Sequence, residues 1–258
     1  MGSLRLCNAC GHRLRRGGIP HYIVARNDQH AKLIDGGGLR MRSNEGKFIN
    51  LQQILYAVKI IIVHPLEACN NGGADTLCSI EAQGARVGAL PDTALQTRGK
   101  PVFIPDWGGE CEARCALAVR ISRLGKSIER RFATRYFDAV APAVKLEMQD
   151  MLADMKRRGA ATTAAEGFDG AVAVGEFAPL DEGGLTLTFT LGTERREVSA
   201  EDATAAIAES IEAASQFFSI RQGDILLMPC SAEAVRVVPD THVEGFVNGR
   251  QLLGYNIK

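Results

Sequence analysis

The chain has 258 residues, 30 basic and 30 acidic side chains, and a formal net charge of zero. Apolar residues supply 46% and charged residues 23%, ordinary globular proportions that exclude collagen-like, mucin-like and wholly disordered chains. A neutral chain is not built mainly to grip nucleic acid, and no apolar stretch approaches the roughly 20 residues of a bilayer span.

Residues 1–57 differ from the rest. Positions 1–50 carry nine basic residues against three acidic ones, and three of the five histidines. Gly17–Gly18 and Gly36–Gly38 interrupt any period, so this stretch is read as an irregular, weakly ordered extension. It is either an extra module or upstream sequence, and its composition favours the second. Arg13, Arg15 and Arg16 precede no apolar run, so no secretory signal is expected. The seven cysteines are odd in number and scattered, which is no disulfide framework and points to the cytoplasm.

From Val58 the character changes, and 58–258 is read as one domain. Val58–Val63 predicts a buried strand, and 68–99 a glycine-rich loop. Short strands are expected at Pro101–Pro105 and Cys115–Ile121. Helices are expected at Ser127–Tyr136 and at Val144–Arg158, the second ending before Gly159. Leu185–Leu191 alternates with period two and predicts a strand, with Arg195–Val198 as its hairpin partner. Ala200–Phe218 reads as a helix with Glu201 and Asp202 in its first turn, where the helix dipole favours acids. Arg221–Asp224 turns into a strand at Ile225–Met228. Asn248-Gly249 predicts a hairpin between Val243–Val247 and Gln251–Ile257. Strands dominate with irregularly placed helices, which predicts an α+β fold rather than a βαβ repeat.

The chemical motifs taken alone are weak. Cys7-x-x-Cys10-x-His12 could begin a zinc site, but a ribbon needs a second Cys-x-x-Cys and the chain has none. Glu110 and Glu112 share a strand face, as ligands of a hard cation would, and also as any solvated strand edge would. His64 lacks an evident Asp or Ser partner. Cys115 and Cys230 have only His64 and His242 as histidines outside the extension.

Four pieces in order carry a stronger signal: Lys100–Asp106, Leu117–Ile128, Phe168-Asp-Gly170 and Ser215–Asp224. Together they resemble the short, single-domain members of the fumarylacetoacetate hydrolase family over about residues 58–258. The resemblance implies a mixed β-roll core with peripheral helices and a homodimer. It also implies cleavage, decarboxylation or isomerisation of acylpyruvate- or oxaloacetate-like 2-oxo acids with Mg²⁺ or Mn²⁺. In such chemistry the ion holds the keto and carboxylate oxygens and stabilises the enolate that forms as the bond breaks.

The family's three carboxylate ligands and its lysine carry over position by position. The Glu-x-Glu pair before Leu117-Ala-Val119 falls on Arg114 and Ala116. The Asp falls on Lys145, and the lysine falls on Glu166. The substrate-contacting Thr-Gly-Thr-Pro turn falls on Met228-Pro-Cys-Ser231, and the first-loop histidine near Asn70. The scaffold positions remain while the chemical ones have changed. Two cations about 4 Å apart repel by about 4 kcal/mol at an effective dielectric of 20, and a divalent ion fares worse. Glu166 is therefore expected opposite Lys145 and Arg114, closing the position with internal ion pairs. A slip of four residues, placing Glu110 and Glu112 as the ligands, is opposed by the gapless flanks.

The expectation is a family member that has lost metal-dependent catalysis, needs no metal cofactor, and acts as a non-catalytic scaffold or oxo-acid-binding protein. Arg114, Lys145 and Glu166 would line its ligand pocket. The alternative is an active Mg²⁺- or Mn²⁺-dependent hydrolase, decarboxylase or isomerase of 2-oxo acids with a rebuilt site. A third role, metal or nucleic-acid binding in residues 1–57, would be independent of both.

Overall fold

The computed structural model describes residues 40–42, 48–50, 58–64, 86–96, 100–181, 184–230 and 233–258, with the backbone alone at 40–42, 48–50, 64 and 86. The chain divides into two units, residues 1–56 and 57–258. In the first, β1 (Arg40–Arg42) and β2 (Phe48–Asn50) form an antiparallel pair.

In the second unit, β3 (Ile60–His64) opens a sheet. The further strands are β4 (Arg86–Leu90), β5 (Cys111–Ile121), β6 (Phe137–Met148) and β7 (Val172–Val174). Then come β8 (Leu185–Leu191), β9 (Glu194–Ala200), β10 (Ile225–Pro229), β11 (Val235–Val237), β12 (His242–Val247) and β13 (Arg250–Asn256). The larger sheet runs β4-β3-β10-β5-β6-β7, and the smaller β13-β12-β8-β9. Only β3 and β10 pair in parallel among the described strands of the larger sheet; their neighbours are antiparallel.

Strand β5 is long enough to take two partners on one edge. Its residues 116–120 pair with β10 and 111–113 with β11, while β6 runs along its other edge. The two sheets meet where Pro142 of β6 faces Gly245 of β12. A Cβ at Gly245 would lie 3.0 Å from Pro142 Cβ, so a larger residue there would push the sheets apart. Leu187, Phe189, Val243 and Leu253 of the small sheet are buried with Leu117, Val119, Val140 and Val144 of the large one in a single apolar core.

The elements with strong local signals lie where the sequence puts them. Leu185–Leu191 alternates buried and half-buried along its length. The Asn248-Gly249 turn has φ of 48° and 77°, the positive pair a two-residue hairpin needs. Helix α3 (Ala203–Phe217) starts later than expected: Ala200 ends β9, and Asp202 is the N-cap rather than part of the first turn, its carboxylate accepting the N–H of Ala205 at 2.8 Å. The Ser215–Asp224 piece is a scaffold device. Ser215 Oγ accepts from Ile128 N at 2.9 Å. Asp224 accepts from the backbone N–H of Lys59 at 3.1 Å and of Arg221 at 2.8 Å, stitching the start of β3 to the start of β10.

Several expectations are corrected. Helix α1 spans only Gln149–Arg158; residues 144–148 are the end of β6. A strand covered on both faces shows no alternation, and Lys145-Leu-Glu147 interrupts its apolar run, which is why it reads as helix. At 127–136 the helix is a 3₁₀ segment, Arg130–Arg135. Pro101–Pro105 contributes a single bridge, Val102 to Ile257. The loop expected at 68–99 contains β4, and β7 and β11 carry too few residues to show a period. No helix among the described residues is long and apolar enough to cross a membrane.

Candidate functional site

The site is built on the facing halves of β5 and β6. Their register sets Arg114 opposite Lys145, Glu112 opposite Glu147, and Ala116 opposite Ala143. Residues two apart on a strand share a face, so these six side chains share one. Directly across the ladder the charges are alike, an arrangement that destabilises a sheet. The diagonal relieves it. Arg114 Nε lies 3.3 Å from Glu147 Oε1, and its Nη2 donates to Oε2 at 3.4 Å. Along β6, Lys145 Nζ lies 2.8 Å from the same Glu147 Oε1.

The fourth charge arrives from another element. Helix α2 (Thr163–Glu166) is a single turn, followed by Gly167 and the buried Phe168. Its last residue places Glu166 Oε2 at 2.7 Å from Lys145 Nζ. Lys145 thus sits between two carboxylates. Side-chain exposure is 1% for Lys145, 4% for Glu147, 14% for Glu166 and 21% for Arg114. Burial by itself would raise both carboxyl pKa values. The Lys145 charge beside each, joined by Arg114 at Glu147, outweighs it and holds both below the ordinary carboxylate value.

Arg114 and Lys145, two of the three strand positions where the resemblance places ligands, are therefore neighbours in space, as ligands of one ion would be. Their chemistry is the opposite of a ligand's. The site offers a guanidinium, a buried ammonium and the methyl of Ala116. Its two nearest carboxylates, Glu147 and Glu166, are already neutralised. A hard divalent ion needs free oxygen donors, and the residues present do not fit one. No group of three His, Cys, Asp or Glu suited to a metal occurs among the described residues. Of the alternative pair, Glu110 is exposed and engages Arg236 of β11 at 2.8 Å, while Glu112 stands opposite Glu147 in the β5–β6 ladder.

Trp107, the single tryptophan of the chain, stands edge-on to Phe168 with ring centroids 6.1 Å apart. It thereby lies against the segment that delivers Glu166. On the opposite face of β5, Cys111 and Cys115 are buried with Cys230, all as free thiols. Glu147, the hub of the network, is the residue that sequence reasoning missed. Its signal was the Lys-x-Glu spacing, which means one shared face on a strand and nothing on a helix. Cys7, Cys10, His12, Asn70, Ser231 and the side chain of His64 lie outside the described residues.

A two-layered α+β domain with this strand order defines a fold class shared with known proteins. Residues 81–239 match the model of the fumarylacetoacetate (FAA) hydrolase C-terminal domain. The chain belongs to the fumarylacetoacetate hydrolase family. It is 26% identical over 143 residues to oxaloacetate tautomerase YcgM of Escherichia coli (strain K12), a stretch covering 53% of this chain and 65% of that protein, just under two thirds. A fumarylacetoacetate hydrolase family protein from Yersinia pestis CO92 superposes with a TM-score of 0.67 at 23% identity, over 85% of this chain and 99% of that one. Fumarylpyruvate hydrolase from Pseudomonas aeruginosa, solved with Mn²⁺ and pyruvate, gives 0.66 at 15% identity, over 92% and 99%.

Proposed function

We propose that this protein is a family member without metal-dependent catalysis, acting as a scaffold or as a binding protein for small 2-oxo acids. The observation that carries this reading is the Lys145 ammonium enclosed between Glu147 and Glu166, at the position where the resemblance calls for a carboxylate ligand. Replacing ion and ligands by fixed side-chain charge keeps the strand pair neutral and removes the Lewis acid. Arg114, Lys145 and Glu166 form the base of the ligand site in this reading. Arg114, the most exposed of the network, meets the ligand carboxylate, and the Lys145–Glu166 pair forms the floor beneath it. Because both cations already have carboxylate partners, the affinity is expected to be weak. The protein works as a homodimer in the cytoplasm, without membrane or nucleic-acid partners.

The test is calorimetric titration of Mn²⁺ into the full chain, with and without oxaloacetate. No binding at millimolar metal supports the reading, and micromolar binding overturns it. A rise in melting temperature with millimolar pyruvate or oxaloacetate, in metal-free buffer, tests the ligand. The likeness to the E. coli oxaloacetate tautomerase supports one rival: an enzyme for oxaloacetate-like 2-oxo acids with a rebuilt site. Turnover of oxaloacetate that requires Mn²⁺ or Mg²⁺ would establish it.

A further inference from the structure

We propose that Cys115 and Cys230 are a redox pair that closes to a disulfide on oxidation, tying the end of β10 to the strand that carries Arg114. The inference does not depend on the functional reading above.

The pairing follows from the ladder. Strand β10 runs antiparallel to β5 with Met228 opposite Leu117 and Pro229 opposite Ala116. One residue further, the Cys230 N–H donates to the Cys115 carbonyl at 3.1 Å, so the two cysteines stand opposite each other. Opposed residues of an antiparallel pair share a face, and in the hydrogen-bonded kind of pair, which this is, the Cα atoms lie about 5.5 Å apart. A disulfide spans Cα separations of about 4.4–6.8 Å. Both thiols are free and buried in the core between the sheets. Burial raises the Cys230 thiol most, and the charge of a Cys115 thiolate would push it further up. Cys230 lies one residue beyond the end of β10, so a closing movement there strains only the last hydrogen bond of that edge.

Cys111 supplies an internal control. It lies on the same face of β5 and is equally buried, but its cross-strand neighbours are Met148 and Val237. No cysteine stands opposite it.

The oxidant is a peroxide. One thiolate attacks the peroxide oxygen, becomes a sulfenic acid, and water leaves. The second thiol attacks that sulfur, the S–S bond forms, and a second water leaves. Two electrons pass from the thiol pair to one peroxide. Burial pushes the Cys115 thiol up to about 12, so little thiolate is present at neutral pH and closure is slow. The rate is expected to rise about tenfold per pH unit between 7 and 9.

The experiment treats the full native chain with hydrogen peroxide and maps its peptides by mass spectrometry without reduction. The expected product joins the Cys115 and Cys230 peptides, with loss of two hydrogens and full reversal by dithiothreitol. Cys111→Ala leaves the product in place, while Cys115→Ala and Cys230→Ala each abolish it. The wild-type map stands even if a variant fails to fold. Over-oxidised single cysteines without the cross-link, a bridge involving Cys111, or three thiols still reduced after a day at pH 9 would each overturn the proposal.

Discussion

Lys145 and Glu166, from a strand and a one-turn helix, meet at 2.7 Å with the ammonium almost wholly withdrawn from water. An isolated ammonium in that position would cost several kcal/mol in desolvation. The second carboxylate, Glu147, lies 2.8 Å from the same nitrogen and also receives Arg114. Lys145 therefore has two counter-charges, and Glu147 serves two cations.

That topology orders the mutational costs. Removing Glu147 takes a counter-charge from both Lys145 and Arg114. Removing Glu166 leaves Lys145 with Glu147. Glu147→Ala is expected to destabilise by about 3–5 kcal/mol, the range for a broken buried pair, and Glu166→Ala by clearly less. Urea unfolding of the two variants beside wild type checks the order; equal losses would mean the network does not work as drawn.

The same carboxylates set the acid limit of stability. Their folded pKa values lie below the ordinary 4.5, so the folded state binds fewer protons than the unfolded one. Their contribution is then fully present above that value and lost as pH falls through the depressed folded values. The urea midpoint is expected to hold from pH 7 to 5 and to fall steeply below 4.5. Glu166→Gln is expected to flatten that fall, and an unchanged acid limb would contradict it.

Restoring the family's ligand pattern tests the position-by-position correspondence. The combined variant Arg114→Glu, Ala116→Glu, Lys145→Asp and Glu166→Lys is expected to bind Mn²⁺ at micromolar concentration. Calorimetry beside the wild type reads the gain. Trp107, which packs on Phe168 two residues after Glu166, provides a fluorescence signal from the same place. If the folded variant binds no metal, the correspondence is wrong.

Tyr255 points to a stabilising change. Its hydroxyl is buried with no hydrogen-bond partner among the described residues, and burial pushes its pKa well up, with the nearby Cys115 and Cys111 adding to the effect. An unsatisfied buried hydroxyl costs about 1–3 kcal/mol. Tyr255→Phe keeps the ring and removes the hydroxyl, so thermal unfolding is expected to show a gain of about 1 kcal/mol. A loss of that size would mean the hydroxyl has a partner.

The charge network was legible in part because its positions could be numbered from the scaffold. The gapless run from Pro105 to Ile121 placed Arg114, and Met148-Gln-Asp150 placed Lys145; the register then set the two opposite each other. Glu166 was legible as a counter-charge, and it pairs with Lys145. Glu147 was not, because an apolar run broken by Lys-Leu-Glu resembles a helix face as much as a doubly covered strand. Likewise Cys115 and Cys230 looked like isolated cysteines until the β5–β10 register aligned them.

By itself the sequence determined whatever depends on neighbouring residues. Period-two alternation made β8, Asn248-Gly249 made the hairpin, Asp202 capped α3, and the surviving scaffold pieces specified the family. Tertiary structure alone decided which charges meet. An ion pair works over a few ångströms of space, and the partners of Lys145 at the end of β6 were settled by how β5 and α2 pack against that strand.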